Sequence, residues 1–306
     1  MACLFVYDGM MSSTGQKEQQ FAGQAAVLAT AFLWSTSGLF IKMLDWHPIV
    51  IAGARGFVAA VFLIIVRLIF PSPKTSVKKN LAFPFWASAF ANAFVAITFV
   101  SANRLTTSAN AILLQYSSPV WTALLAWWVI KEKPRWEHWS ALVLVFAGLL
   151  VFMGDGLSSG GLSGNGLGML SGMFVAAHVV FLRMAKDGNT RDILLMSHVI
   201  AAVISIPFFV LYPPEISVSS AMPVLFMGVI QQGAASLFFA YGIKRLSAIQ
   251  AMLTCTIEPL CNPIWVFIVF SERPSVSAFI GGGMILTAVV SSSLIAKQRE
   301  INRKAA

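Results

Sequence analysis

The feature that most constrains this chain is a succession of ten apolar runs almost free of charge. They are Phe21 to Ile41, Pro48 to Phe70, Leu81 to Ala102, Ser108 to Ile130, Trp139 to Met153, Leu167 to Leu182, Ile193 to Tyr212, Ala221 to Tyr241, Ser247 to Phe270 and Ser275 to Ala296. A helix needs about 20 apolar residues to cross the hydrocarbon core of a bilayer, and it satisfies its own backbone polar groups on the way. Ten spans with short connectors consume about two thirds of the 306 residues. The expected fold class is therefore all-α integral membrane, with ten transmembrane helices. Only 11% of the residues are charged, against roughly 25% in an average soluble domain, which excludes a soluble globule.

The fifth and sixth runs are short for a full span. Between them Gly154 to Gly166 is rich in Gly and Ser and reads as a linker that bisects the chain. The expected organisation is a tail over residues 1–20, a first five-helix unit over 21–153, the linker over 154–166, a second unit over 167–296 and a basic tail over 297–306. Residues 1–20 lack the basic start and long apolar core of a signal peptide.

Charge sets the orientation, because cytoplasmic loops are enriched in Lys and Arg. With the N-terminus inside, 17 of the 21 Lys and Arg residues fall on inner segments, including Lys79, Lys131, Lys133, Arg135, Arg183, Lys186 and Lys244. Only Lys42, Arg104 and Arg273 lie at outer ends, and Arg55 lies within the second helix. This division favours ten spans with both termini cytoplasmic. It also disfavours nucleic acid as a partner, since the charge forms no single patch, and points to the anionic surface of the lipid bilayer. The three cysteines, Cys3, Cys255 and Cys261, make no CxxC pair, so neither a disulfide framework nor a metal site is expected.

The chain repeats itself. Ala111 to Pro134 (AILLQYSSPVWTALLAWWVIKEKP) lies without gaps on Ala251 to Pro274 (AMLTCTIEPLCNPIWVFIVFSERP), pairing Leu113 with Leu253, Pro119 with Pro259, Glu132 with Glu272 and Pro134 with Pro274. Leu28 onward (LATAFLW) sits loosely over Leu170 onward (LSGMFVA). Because five is odd, a duplicated five-helix unit enters the membrane from the opposite side, and the charges agree: KEKPR is placed inside, SERPS outside. The expected architecture is two inverted five-helix repeats, a common plan of secondary transporters.

A fourth and a ninth helix that each carry a central proline and end in Glu-x-Pro, followed by glycine-containing helices (Ala147-Gly148 and Gly281 to Gly283), resemble the two EamA repeats of the drug/metabolite transporter superfamily. Trp34, Arg55 and the Glu258-Pro259 pair fit the resemblance, which covers about Phe21 to Ala296. The chain departs from that family at Ala176 and Ala177, where a tryptophan is frequent. The resemblance implies a ten-helix carrier of small organic solutes, often an exporter of amino acids or related metabolites.

Ionisable groups in hydrocarbon cost at least about 2.5 to 3.5 kcal/mol, so each needs a partner or a water-filled cavity. Glu258 belongs to Gln250, Thr254, Glu258 and Asn262, spaced four apart and expected on one helical stripe. Two readings stand: a cavity wall loosened by Pro259 and Pro263, or an interhelical anchor. Arg55 is read as structural, either snorkelling to the outer surface or pairing with a carboxylate. Asn110, Gln115, Ser117 and Ser118 cluster on the fourth helix beside Pro119, as the repeat partner of the Glu258 stripe. Trp34, Tyr116, Asn92, Gln231, Gln232 and Tyr241 are further candidates for one cavity. His178 is either a proton carrier, which makes protons the coupling ion, or a hydrogen-bonded core histidine. Gly168-x-x-x-Gly172 and Gly281 to Gly283 read as helix-packing patterns.

No GxxxxGK[ST], HExxH or GxSxG motif occurs, so an ATP-driven pump, a metalloprotease and a serine hydrolase have no sequence support, and no cofactor is expected. The expected function is a secondary exporter in a bacterial cytoplasmic membrane, working by alternating access about a midplane cavity. The rival readings are a polytopic membrane enzyme acting on lipid-linked substrates and a non-transporting scaffold.

Overall fold

Helix starts follow the local chemistry of the sequence. His47 accepts from the Ile49 amide just before Pro48, which opens a helix with its ring already at helical φ. Ser217 with Ser220, and Ser247 with Gln250, form reciprocal capping boxes that occupy otherwise orphaned amide donors. The structure is a computed structural model and describes residues 13–71, 82–106, 111, 114–153, 161–188, 190–261, 265, 268 and 276–305. Among the described residues all regular structure is helical.

In chain order the helices are α1 (Ser13–Trp34), α2 (Ser37–Lys42), α3 (Pro48–Ile69), α4 (Ala82–Leu105), α5 (Ser118–Val129), α6 (Trp136–Met153), α7 (Leu162–Met184) and α8 (Thr190–Leu211). There follow α9 (Val218–Phe226), a π-helical stretch over Met227–Ala234, α10 (Ala235–Ile243), α11 (Ala248–Cys255) and α12 (Val276–Ala305). Six helical stretches among the described residues are long and apolar enough to cross a membrane: Glu18–Ile41, Pro48–Ile69, Ala82–Ala102, Leu162–Met184, Thr190–Leu211 and Val218–Ile243. Shorter apolar helices run over Trp136–Val151, Ala248–Cys261 and Phe279–Ala288. On α3 the large side chains Phe57, Val61, Ile64, Ile65 and Leu68 face outward, while Ala52, Gly53, Arg55, Gly56, Ala59 and Ala60 face inward. So much exposed apolar surface is at home in lipid, not in water.

The packing pairs come in couples related by exchanging the two halves of the chain. α4 packs on α7 as α1 packs on α10; α5 packs on α7 as α11 packs on α1; α4 packs on α8 as α3 packs on the π stretch. Across the halves, α3 pairs with α8, α6 with α12 and α5 with α11.

Several expected segments are not continuous helices. The first run turns at Ser35–Thr36, between α1 and α2. The fourth turns at Tyr116–Ser117 and the ninth at Thr256–Ile257, positions 140 residues apart that the repeat alignment superposes. Pro119 and Pro259 supply the cause. Each removes the amide that would bond the carbonyl four residues back, and its ring crowds that carbonyl. Hydroxyls cap the carbonyls just before each turn: Ser117 Oγ donates to the Leu114 carbonyl at 2.6 Å, and Thr256 Oγ1 to the Leu253 carbonyl at 2.6 Å. At the first turn Thr36 Oγ1 donates in the same way to Leu33, at 2.8 Å.

The sixth run is longer than its apolar core, since α7 begins at Leu162, inside the expected linker. The glycines there serve close approach. A Cβ on Gly164 would stand 2.5 Å from the Leu105 carbonyl carbon, and one on Gly172 would stand 2.9 Å from both the Gln115 carbonyl oxygen and Ser117 Oγ. The helix therefore lies directly against the fourth-segment break. Residues 154–160 of the linker lie outside the described residues.

Candidate functional site

The three turns and the π stretch converge on one cavity of about 150 Å³. Its walls include Trp34 and Ser37 from the first turn, Arg55 from α3, Asn92 and Phe99 from α4, and Gln115, Tyr116 and Ser118 from the fourth-segment turn. The other half of the chain contributes His178 from α7, Ser197 and His198 from α8, Gln231 and Gln232 from the π stretch, Phe239 from α10, and Cys255 and Glu258 around the ninth-segment turn. Ser118 and Glu258 are equivalent in the repeat alignment: each precedes the repeat proline and restarts its helix.

Of the residues singled out from the sequence, the structure brings Trp34, Asn92, Gln115, Ser118, His178, Gln232 and Glu258 to this cavity, with Tyr116 and Gln231. Gln250 and Thr254 are not among its walls. Gln250 spends its side chain capping α11 at the Ser247 amide, at 3.1 Å, and Thr254 is buried with its hydroxyl on the Gln250 carbonyl, at 2.8 Å. The expected single stripe fails because the turn at Thr256–Ile257 interrupts the helical register between Thr254 and Glu258. Asn110 and Asn262 lie outside the described residues.

Arg55 is 7% exposed, lines the cavity, and forms no ion pair among the described residues. The inward face of α3 is marked by small residues, and that signal was available in the sequence. The α3–α8 approach is close, since a Cβ on Gly56 would stand 3.2 Å from the His198 carbonyl oxygen. Ser197 and His198 were not anticipated, although Ser197, Ala201 and Ser205 are spaced four apart and make a small-residue stripe on α8.

Much of the polar lining is already engaged. Ser88 Oγ lies 3.0 Å from His178 Nδ1, whose ring stacks toward Phe239, so His178 is tied to α4. His198 Nε2 lies 3.1 Å from Ser236 Oγ, Asn92 Nδ2 donates to Ser197 Oγ at 2.9 Å, and Gln115 Nε2 donates to Ser171 Oγ at 2.9 Å. These bonds hold the wall open at fixed geometry. Tyr116 and Glu258 line the same cavity from the two repeat-equivalent turns. Two other polar atoms of wall residues, Trp34 Nε1 and Gln231 Oε1, are buried with no hydrogen-bond partner among the described residues. Gln231 and Gln232 sit in the π stretch, a local unwinding of the kind that recurs at functional sites. Among the described residues no group of three His, Cys, Asp or Glu side chains is placed to hold a metal ion.

Comparison with known proteins agrees with this geometry. The chain is 24% identical over 269 residues to a protein of Archaeoglobus fulgidus called an uncharacterized transporter, covering 88% of this chain and 95% of that one. It is 23% identical over 184 residues to an S-adenosylmethionine uptake transporter of Rickettsia prowazekii, covering 59% and 61% respectively. A crystal structure superposes with a TM-score of 0.77 at 18% identity, over 91% of this chain and 98% of that one, which shows a shared fold. The profile of the EamA-like transporter family matches twice, over residues 21–154 and 162–294, so the cavity draws its walls from both matched segments, and this multi-pass membrane protein belongs to the EamA-like transporter family.

Proposed function

We propose that the protein is a secondary transporter that carries a small organic solute across a bacterial cytoplasmic membrane by alternating access. The cavity is the transport site, and the two matched segments are inverted five-helix repeats, ten helices in all, that rock about it with both termini cytoplasmic. One observation carries the reading: a single cavity walled by both segments, where two helices break at repeat-equivalent positions and present Ser118 and Glu258. Breaks of this kind are tolerated at membrane depth only where they are buried in protein or line a cavity. The exchange-related packing couples are what a pseudo-two-fold relation between the two segments requires.

Within this reading Glu258, Gln115, Ser118, Asn92, Trp34 and Gln232 contact the solute, together with Arg55, while Pro119 and Pro259 maintain the breaks. Gln250 and Thr254 hold the ninth segment in place. His178 is a positioning residue, because its Nδ1 is committed to Ser88. If protons are the coupling ion, Glu258 is their carrier. Amino acids and related metabolites are the solute class, and export is the direction that the family resemblance favours. The Rickettsia relative is named for uptake, so direction belongs in the test. The test is solute counterflow in proteoliposomes. Preloading with the transported solute should accelerate entry of the labelled solute at least tenfold over empty vesicles; equal rates with every solute of a metabolite panel would refute the proposal.

A further inference from the structure

We propose that the Glu132–Arg183 ion pair is the latch of a cytoplasmic gate: it seals the cavity on that side, and the cavity opens there only when the pair parts. The inference rests on the transporter reading above and on its orientation, and it adds the residues that decide which side the cavity faces.

The pair joins the two family segments. Arg183 Nε donates to Glu132 Oε1 at 3.1 Å, and Glu132 Oε2 accepts from the Ala248 amide, also at 3.1 Å, so Glu132 of the first segment grips two points of the second. Arg183 Nη1 donates in turn to the Ile243 and Lys244 carbonyls. A fully exposed ion pair contributes little, but Arg183 is only 14% exposed and Glu132 29%, and both carboxylate oxygens are engaged. The backbone is bent to present the glutamate. Lys131, just before it, sits at φ 58°, a left-handed conformation that a lysine adopts at a cost, and the Glu132 amide folds back onto the Ala126 carbonyl of α5 at 3.2 Å.

The latch lies against an apolar plug. Val179, Phe239 and Met252 are cavity walls and also belong to one buried cluster that continues through Leu182, Ile243 and Ala248, each fully buried. Those last three are tied to the latch one by one: Leu182 precedes Arg183 in the chain, the Ile243 carbonyl is an acceptor of Arg183, and the Ala248 amide is held by Glu132. The first segment closes the plug from its own side with Ala126 and Val129 of α5. Five residues separate the cavity wall from the latch both at His178 to Arg183 and at Phe239 to Lys244, about 7.5 Å of helix, so plug and latch make one thin barrier. Segments that rock apart at this end must first break both bonds of Glu132 to the second segment. Because both side chains keep some contact with solvent, water can take the place of the lost partners, and the pair can part and re-form.

The test reads the direction of opening and needs no solute. In a full-length background without Cys3, Cys255 and Cys261, Ser118→Cys reports from the cavity wall, and a charged methanethiosulfonate is added to one face of oriented vesicles at a time. With Glu132→Gln or Arg183→Gln, modification from the cytoplasmic face should become at least five times faster, and modification from the outer face should slow by a similar factor. Arg183→Lys keeps the charge but not the fork that reaches Glu132 and the α10 carbonyls together, so it should give a smaller shift of the same sign. It takes the place of the neutral variants if they do not insert and fold. A pair that only stabilises the fold would, when removed, speed modification from both faces or change neither, and either result would overturn the proposal. Counterflow by the wild type, with no opposite shift in the variants, would overturn the latch and leave the transporter reading intact. Opposite shifts in the variants of a protein that shows no counterflow would do the reverse.

Discussion

The Arg183 guanidinium donates through Nε to Glu132 Oε1 at 3.1 Å, and each side chain also reaches a helix end. Arg183 Nη1 donates to the carbonyls of Ile243, at 2.9 Å, and Lys244, at 3.1 Å, where α10 terminates. Glu132 Oε2 accepts from the Ala248 amide, at 3.1 Å, where α11 begins. A cation at a helix C-terminus and an anion at a helix N-terminus are each in the favourable sense of the macrodipole. One ion pair thus ties α7, the segment after α5, α10 and α11 together at one end of the molecule. Under the charge-based orientation that end is cytoplasmic.

This arrangement makes a swap informative. Glu132→Gln and Arg183→Gln should each lower stability by about 1–3 kcal/mol, since each removes charged hydrogen bonds from partly buried groups. The double swap Glu132→Arg with Arg183→Glu should not restore the melting temperature. A glutamate at 183 would face carbonyl oxygens, and an arginine at 132 would face the amide end of α11. Full recovery in the swap would show that only the pair itself matters.

Glu258 separates transport from scaffolding. Glu258→Gln keeps the shape of the side chain and its capacity to hydrogen-bond, so the stability should stay within about 1 kcal/mol of wild type while transport falls at least tenfold. Melting curves and initial rates from one preparation decide it. A loss of transport that merely tracks lost protein would make Glu258 an anchor.

How much of this was legible beforehand varies with the physics involved. The breaks at Tyr116–Ser117 and Thr256–Ile257 had a signal in the sequence, because proline forbids a specific backbone hydrogen bond and the repeat alignment pairs Pro119 with Pro259, whereas the turn at Ser35–Thr36 has no proline beside it and had none. The inward position of Arg55 was not inferred, because α3 is apolar nearly all round and a hydropathy pattern cannot tell lipid from protein; only the small residues Ala52, Gly53, Gly56, Ala59 and Ala60 mark its inner face. Gln250 and Thr254 were assigned to the Glu258 stripe on a continuous helix, and the turn at Thr256–Ile257 removed that premise. His198 sat in a polar-poor run where one helix's sequence does not say which neighbour it will meet.

The breaks themselves can be tested. Pro259→Ala restores an amide donor to the carbonyl of Cys255 and should lengthen the helix through Thr256–Ile257. The variant should insert and melt like wild type or slightly higher, with transport reduced severalfold. Pro119→Ala should act in the same direction and more weakly, since no carboxylate restarts that helix. Full activity in Pro259→Ala would make the break incidental.

Topology has its own reporter. In a background without Cys3, Cys255 and Cys261, single cysteines at Lys79, Lys133 and Lys186 should be shielded from an impermeant thiol reagent in intact cells, and those at Ser159 and Glu215 should react. Labelling of positions 133 and 159 from the same side would contradict the inverted repeats.

Alternating access itself is tested most directly at Ser118, a cavity residue with 2% of its surface exposed. In the same background, Ser118→Cys should react with an impermeant reagent added to either face of oriented vesicles, at rates that a transported solute shifts in opposite directions on the two sides. Reaction from one face only, under every solute condition, would contradict the account.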